Sequence, residues 1–153
     1  MIQKQTKSRG FTIVELLIVI IVIAILAAIT IVAYNGVQNR ARTSSAQAAS
    51  NMLQKKIEAF NAATGAYPVT GSSLVTQMAT VNESSLTGAG VTILAAAPTS
   101  GNGVNSIQVQ FCTVPAAATG YNIIYFNFTT SLTVTVNGGT NGTACTTYTN
   151  VTP

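Results

Sequence analysis

The sequence predicts an α+β fold in which a long N-terminal α-helix packs against a small antiparallel sheet of three to four strands. Three observations predict this fold. An apolar run from Leu16 to Tyr34 continues into an amphipathic helical stripe, a break follows at Gly65, and short alternating segments fill the last third of the chain. Because a sheet buries one face against a helix, these elements form a layered head.

The first half of the helix is long enough to cross a lipid bilayer. Thr30 is the only polar residue between Leu16 and Tyr34. At the helical rise per residue, these 19 residues span about 28 Å, close to the hydrocarbon thickness of a membrane. The sequence therefore predicts one membrane-spanning segment near the N-terminus.

The N-terminus of this helix is expected to stay on the cytoplasmic side of the membrane. Basic residues next to an apolar segment are retained in the cytoplasm. Three such leader charges precede the apolar run, namely Lys4, Lys7 and Arg9. Arg40 and Arg42 on the far side weaken this asymmetry without reversing it.

An amphipathic stripe continues the helix beyond the apolar run. Leu53, Ile57 and Phe60 are spaced i, i+4 and i+7, and Ala46 and Ala49 extend the same stripe toward the N-terminus. Polar residues lie mostly off the stripe. The second half of the helix is therefore expected to bury one face only.

We predict a single helix from about Thr12 to Ala63. Gly65 is a suitable left-handed cap for its end, and Tyr67-Pro68 cannot easily continue a helix. A short helix is predicted at about residues 72–80. Strands are predicted at Val91–Leu94, Ile107–Phe111, Tyr121–Phe128, Leu132–Val136 and Ala144–Tyr148. The residues expected to pack on the helix are Ile107, Val109, Phe111, Ile123, Tyr125 and Val134.

The composition argues against an enzyme, a metal site or a cofactor site. The chain has no His and no Asp, so a Ser-His-Asp or Cys-His device is excluded, and two cysteines alone cannot form a closed zinc site. Glu83 stands alone where a calcium loop needs several carboxylates. No Lys or Arg follows Lys56, so the head offers no strong nucleic-acid site.

Cys112 and Cys145 predict a disulfide if the head lies outside the cytoplasm. The alternative is a pair of buried free thiols. Such a disulfide would close a loop of about 33 residues and stabilise the fold by about 3–4 kcal/mol. Four Asn-x-Ser/Thr triplets are interpreted as polar surface loops rather than glycosylation sites, and they begin at Asn82, Asn127, Asn141 and Asn150.

Two ordinary explanations of the N-terminal segment fit it poorly. A cleaved secretory signal has a shorter apolar stretch directly after its cations, whereas here Glu15 intervenes and the run is too long. A plain single-span anchor explains the length but not the Gly10-Phe11 pair or the charge of Glu15, which costs free energy at the edge of an apolar helix.

The segment from Gly10 to Ile20, Gly-Phe-Thr-Ile-Val-Glu-Leu-Leu-Ile-Val-Ile, resembles the class III signal of type IV pilins and pseudopilins. The resemblance implies cleavage after Gly10 by the prepilin peptidase and N-methylation of Phe11. It also implies an assembly role for Glu15, which would pair with the Phe11 amine of a neighbouring subunit and fix the register. Help in peptidase recognition is the competing role for Glu15.

The sequence departs from the family pattern at two positions of the helix. Many members have a proline where this chain has Val32, and many have a glycine where it has Ala24. In the family, these helix breakers mark a stretch that can unwind in the filament. Because both breakers are missing, this helix is expected to stay more continuous.

The resemblance implies four regions along the chain. Residues 1–10 form a cytoplasmic leader that is removed, residues 11–34 the transmembrane and filament-core helix, and residues 35–63 its amphipathic continuation. Residues 64–153 form the head, with a variable loop at 64–105 and the antiparallel sheet at 106–153.

The function expected from the resemblance is that of a structural subunit of a type IV pilus. The alternatives are a pseudopilin of a type II secretion or DNA-uptake system and a single-span anchored binding domain. The implied partners are other copies of the chain in a homopolymer, the prepilin peptidase and methyltransferase, an assembly platform protein with its motor ATPase, and membrane lipid before assembly. The expected location is the cytoplasmic membrane, with the N-terminus inside, and then an extracellular filament.

Overall fold

The computed structural model describes residues 10–68, 73–112, 120–139 and 147–151. It confirms the α+β class. Its elements are α1 (Ile13–Thr64), α2 (Leu74–Met78), β1 (Thr92–Leu94), β2 (Ser106–Cys112), β3 (Gly120–Asn127), β4 (Leu132–Gly139) and β5 (Tyr148–Asn150). The chain divides into two compact units, Met1–Val37 and Gln38–Pro153.

The first unit contains the apolar part of α1. Its large apolar side chains between Phe11 and Val37 are exposed, and none of them contributes to the hydrophobic core. The hydroxyl of Thr30 donates to the carbonyl oxygen of Ala27 at 2.9 Å, so this polar group is satisfied within the helix. Among the described residues, α1 is the one helix that is long and apolar enough to cross a membrane.

The helix is continuous through the positions where the family pattern has breakers. Ala24 and Val32 both lie within α1, as does Gly36. Val32 can donate its backbone N–H to the helix, which a proline cannot do, and alanine at position 24 has a higher helix propensity than glycine. The predicted bounds of the helix, Thr12 to Ala63, differ from the observed ones by one residue at each end.

The second half of α1 buries the predicted stripe. Ala46, Ala49, Leu53, Ile57 and Phe60 are all buried. They pack with apolar residues of the sheet in one hydrophobic cluster. The head is thus held by apolar burial along one face of the helix, as the i, i+4, i+7 spacing predicts.

The sheet is mixed, which corrects the prediction of a purely antiparallel sheet. β1 pairs with β2 in parallel, with Ile93 opposite Ile107, whereas β2–β3, β3–β4 and β2–β5 are antiparallel. One edge of β2 is shared, because β1 pairs with its first half and β5 with its second half. The parallel pair spans only three residues of β1, too few for periodicity to indicate strand direction.

The strand faces agree with the predicted alternation. Ile107, Val109, Phe111, Ile123 and Tyr125 are buried, and Val134 is half-buried against the same cluster. The predicted strand 144–148 falls largely on residues outside the described ones, and the described strand β5 begins where that prediction ends.

Gln108, on the opposite face of β2, is also buried, at 3% exposure. Its side-chain amide donates to the carbonyl oxygen of Ala95 at 3.3 Å. This contact explains how a polar side chain is tolerated there, because a buried amide needs a hydrogen-bond partner.

Glu58 joins the helix to the turn that follows it and to the sheet. Its Oε2 accepts a hydrogen bond from the Tyr67 hydroxyl at 3.0 Å, and its Oε1 accepts one from the Tyr121 hydroxyl at 2.7 Å. The two rings also contact each other, with centroids 5.4 Å apart. Bonds to a charged acceptor are stronger than bonds between neutral groups, so this cluster fixes three segments at one point.

Burial and the Glu58 carboxylate act on both tyrosines in the same direction. Burial of the hydroxyl, and secondly its bond to Glu58, raise the pKa of Tyr67 to about 12. The same two causes, in the same order, raise the pKa of Tyr121. Both effects favour the neutral phenol in the folded state.

The position of the Tyr121 ring requires a glycine in the neighbouring strand, β4. Gly138 lies directly opposite Tyr121 in the β3–β4 register. A Cβ atom at position 138 would overlap the Tyr121 ring. The aromatic ring therefore occupies the space that any larger residue at this position would need, as is found for aromatic residues beside sheet glycines.

Replacing Tyr67 with Phe is expected to reduce stability by about 1.5 kcal/mol at neutral pH, because a bond to a charged acceptor is lost. The substitution is also expected to reduce the dependence of the free energy of unfolding on pH in the alkaline range. Since the folded pKa of Tyr67 is raised from 10.0 to about 12, the wild-type chain should lose stability between these pH values. Denaturant unfolding of the detergent-solubilised chain from pH 8 to 12 measures both effects. Tyr125→Phe is the matched control, because no described residue bonds its hydroxyl; an equal flattening in that variant would contradict the assignment.

Gly138→Ala is expected to destabilise the head by about 1–3 kcal/mol, because the new methyl group forces the Tyr121 ring out of its position. Gly101→Ala is the control, since its nearest non-neighbouring atom would lie 3.8 Å from the new Cβ. Thermal unfolding of both variants checks the expectation. Equal melting temperatures for the two variants would show that the Tyr121 ring can move without loss of stability.

Candidate functional site

The candidate site is the segment that leads into α1. Gly10, Phe11 and Thr12 precede the first helical residue, Ile13, and are not helical. The Phe11 side chain is 89% exposed. A Cβ built on Gly10 would meet no atom within 4 Å, so the fold of the chain itself does not require a glycine there. The predicted cleavage bond thus lies in an exposed stretch outside the helix.

Thr12 and Glu15 form a reciprocal hydrogen-bonded cap on the helix. The Thr12 backbone N–H and the Thr12 hydroxyl both donate to Glu15 Oε2, each at 2.8 Å. The Glu15 backbone N–H in turn lies 3.2 Å from the Thr12 hydroxyl oxygen. This is a capping box, in which the N-cap residue and the third helical residue satisfy each other's backbone donors.

The capping box gives the Glu15 carboxylate a fixed place. Oε2 accepts both bonds from Thr12, whereas no described residue bonds Oε1. A carboxylate at a helix N-terminus is also favoured by the partial positive charge of the helix dipole. Glu15 therefore presents one oxygen to its surroundings, within four residues of Phe11.

The structure places the other predicted site residues as follows. Lys4, Lys7 and Arg9 lie outside the described residues. Cys112 ends β2 and is buried, at 1% exposure. Its predicted partner Cys145 lies outside the described residues, so the disulfide stays a prediction.

Three of the four Asn-x-Ser/Thr sites are described, and Asn141 is not. Asn127 Oδ1 accepts the backbone N–H groups of Thr129 and Thr130 at 2.9 and 3.1 Å, so it holds the turn between β3 and β4. Asn82 and Asn150 are exposed. Asn127 is the last residue of β3, and its side chain stabilises the turn that follows.

Sequence reasoning missed the role of Thr12. The signal was present, because Thr12-Ile13-Val14-Glu15 before an apolar run is a capping-box sequence. It also missed the bonds of Glu58 to Tyr67 and Tyr121, which had no local signal: Tyr121 lies 63 residues away from Glu58 in the chain.

Comparison with known proteins identifies the class of the N-terminal segment. Residues 5–31 match the family model described as the prokaryotic N-terminal methylation motif. This motif is the class III signal of type IV pilins and pseudopilins, and it supports a pilin- or pseudopilin-like protein. The match contains the exposed Gly10-Phe11 bond, the capping box and most of the apolar part of α1. No curated protein and no solved structure matches the chain.

Thr12→Val is expected to loosen the first turn of α1, because the hydroxyl that bonds Glu15 is lost while the volume stays nearly the same. Thr12→Ser keeps the hydroxyl and serves as the control. Amide hydrogen exchange of the first helical turn, measured by NMR on the detergent-solubilised chain, should be faster in the valine variant only. Equal exchange in both variants would show that the cap does not hold the turn.

Proposed function

We propose that this chain is the structural subunit of a type IV pilus, made as a precursor and polymerised through its N-terminal helix. The observation that carries the proposal is the methylation motif at residues 5–31, which continues into a helix whose apolar side chains are exposed on all sides. A membrane accounts for such a surface before assembly, and a bundle of identical helices accounts for it afterwards.

Processing would change the charge at the start of the helix. Cleavage after Gly10 removes Lys4, Lys7 and Arg9 and creates an amine on Phe11, which the methyltransferase part of the processing enzyme would then methylate. The mature chain keeps four basic and three acidic side chains, of which Glu15 is the acid nearest the new amine. The cations that held the segment at the cytoplasmic surface are then gone.

Glu15 would supply the register of the polymer. In a bundle of apolar helices, an unpaired carboxylate is costly, and an amine from a neighbouring copy offsets that cost. The capping box leaves Glu15 Oε1 without a bond from any described residue, which suits an incoming amine. One polar pair in an apolar interface fixes axial register, as a buried Asn does in coiled coils.

The rest of the chain would form the core and the surface of the filament. Residues 11–34 would form the filament core and residues 64–153 the exposed head on the extracellular side. The assembly platform and its motor ATPase would extract the subunit from the cytoplasmic membrane. The Cys112–Cys145 disulfide would stabilise the head in that oxidising space.

Glu15→Gln is expected to leave membrane insertion and cleavage intact while reducing fibres on the cell surface by at least about tenfold, because the charge pair is lost. Glu15→Asp keeps the charge and is the control, with an intermediate yield expected. Electron microscopy counts the fibres, and intact-mass analysis reads the processed chain, which should start at Phe11 and carry one methyl group.

Four results would decide against parts of this proposal. A mass that starts at Met1 or beyond Ala28 would exclude the processing. Undiminished fibres in Glu15→Gln would exclude the register role. Loss of secretion or DNA uptake in cells without the gene, with long fibres unchanged, would favour a pseudopilin, and a processed chain that never forms fibres in any cell would favour an anchored binding domain.

A further inference from the structure

Arg42 lies in a surface groove of the head. The groove has a volume of about 480 Å³, and its polar lining includes Arg42, Ser45, Thr92, Asn105 and Ser106. Arg42 is the only charged residue among the described residues that line it. The guanidinium carbon of Arg42 lies 5.0 Å from the centre of the Phe128 ring. The ring holds the cation in place, and no described residue forms a hydrogen bond with its N–H donors.

The chain contains only three acidic side chains, and two of them are engaged. Glu15 is bonded by Thr12 at the helix start, and Glu58 is bonded by two tyrosines. Glu83 is exposed, and no described residue bonds its carboxylate. Glu83 is therefore the one side-chain carboxylate of the head that is open to a cation.

Glu83 and Arg42 of the same copy are far apart along the helix. The Lys56 ammonium lies 3.5 Å from the backbone oxygen of Glu83, which places Glu83 beside that turn of α1. Arg42 precedes Lys56 by 14 residues, a distance of about 21 Å along the helix axis. An ion pair needs about 4 Å, so the two residues are expected to meet only between copies.

We propose that Glu83 of one copy pairs with Arg42 of a second copy, which is displaced along the helix axis by about 20 Å. This inference rests on the proposed polymer, whose copies are displaced along a common axis. The groove beside Arg42, with a volume of about 480 Å³, would receive the turn that carries Glu83. The opposite charges of Glu83 and Arg42 would attract each other and so favour this contact.

Charge reversal tests the contact in full-length chains expressed in cells. Glu83→Lys and Arg42→Glu are each expected to reduce surface fibres by at least about tenfold, because like charges then face each other. The double variant Glu83→Lys with Arg42→Glu restores opposite charges and should return the yield to within about threefold of the wild type. The double variant Glu83→Lys with Arg40→Glu is the matched control, and it should not recover.

Cross-linking gives a second measurement that does not depend on fibre yield. Glu83→Cys combined with Arg42→Cys should give covalent dimers and longer ladders on non-reducing gels of intact fibres. Glu83→Cys combined with Arg40→Cys should give markedly fewer. Membrane-extracted chains before assembly should give neither, because the contact forms only between assembled copies.

The outcomes separate this contact from the subunit role. Fibres that survive both single reversals, or that are lost in both and not regained in the double variant, overturn the contact alone. A cross-link that forms equally well at position 40 overturns it too. Absence of fibres from the wild-type chain overturns the subunit role and the contact together.

Discussion

The apolar circumference of the first half of α1 is the constraint on which the rest of the molecule depends. The exposed side chains from Ile13 to Val37 have no partner among the described residues of the chain. Transfer of one such Leu, Ile or Val side chain out of water is worth about 1.5–3 kcal/mol, so the whole segment cannot persist in water by itself. Among the described residues, this helix is long and apolar enough to cross a membrane, and in the proposed polymer the same surface would pack against other copies.

The second half of α1, unlike the first, packs against the sheet. Here one stripe of α1 is covered by the sheet, and the other side stays polar. Apolar burial supplies the attraction, and Glu58 fixes the arrangement through Tyr67 and Tyr121. Because these bonds have a defined geometry, they specify how the turn after the helix and strand β3 are placed, which apolar contacts alone would leave less defined.

The sequence predicted the elements with strong periodicity and failed where contacts are distant. The length of α1, the stripe around Leu53 and the strands β2 to β4 follow from local spacing. The parallel direction of β1 does not, because three residues carry no directional signal. At the candidate site, Gly10, Phe11 and Glu15 are predicted from their order in the chain. The hydrogen bonds between Glu15 and Thr12 could be predicted from the sequence of the same segment. The hydrogen bonds of Glu58 could not, because Tyr121 is brought close to Glu58 only by the fold.

Strand β4 forms one edge of the described sheet, with its outer backbone groups unpaired by any described strand. It contains no charged residue and no proline, the usual means by which proteins block edge-to-edge association. The outer edge of β4 is therefore open to pairing with a strand of another molecule, in the whole chain as in a truncated recombinant head. Solubility tags or a lysine introduced at the solvent-facing Thr135 would be the sensible precaution when such a fragment is produced.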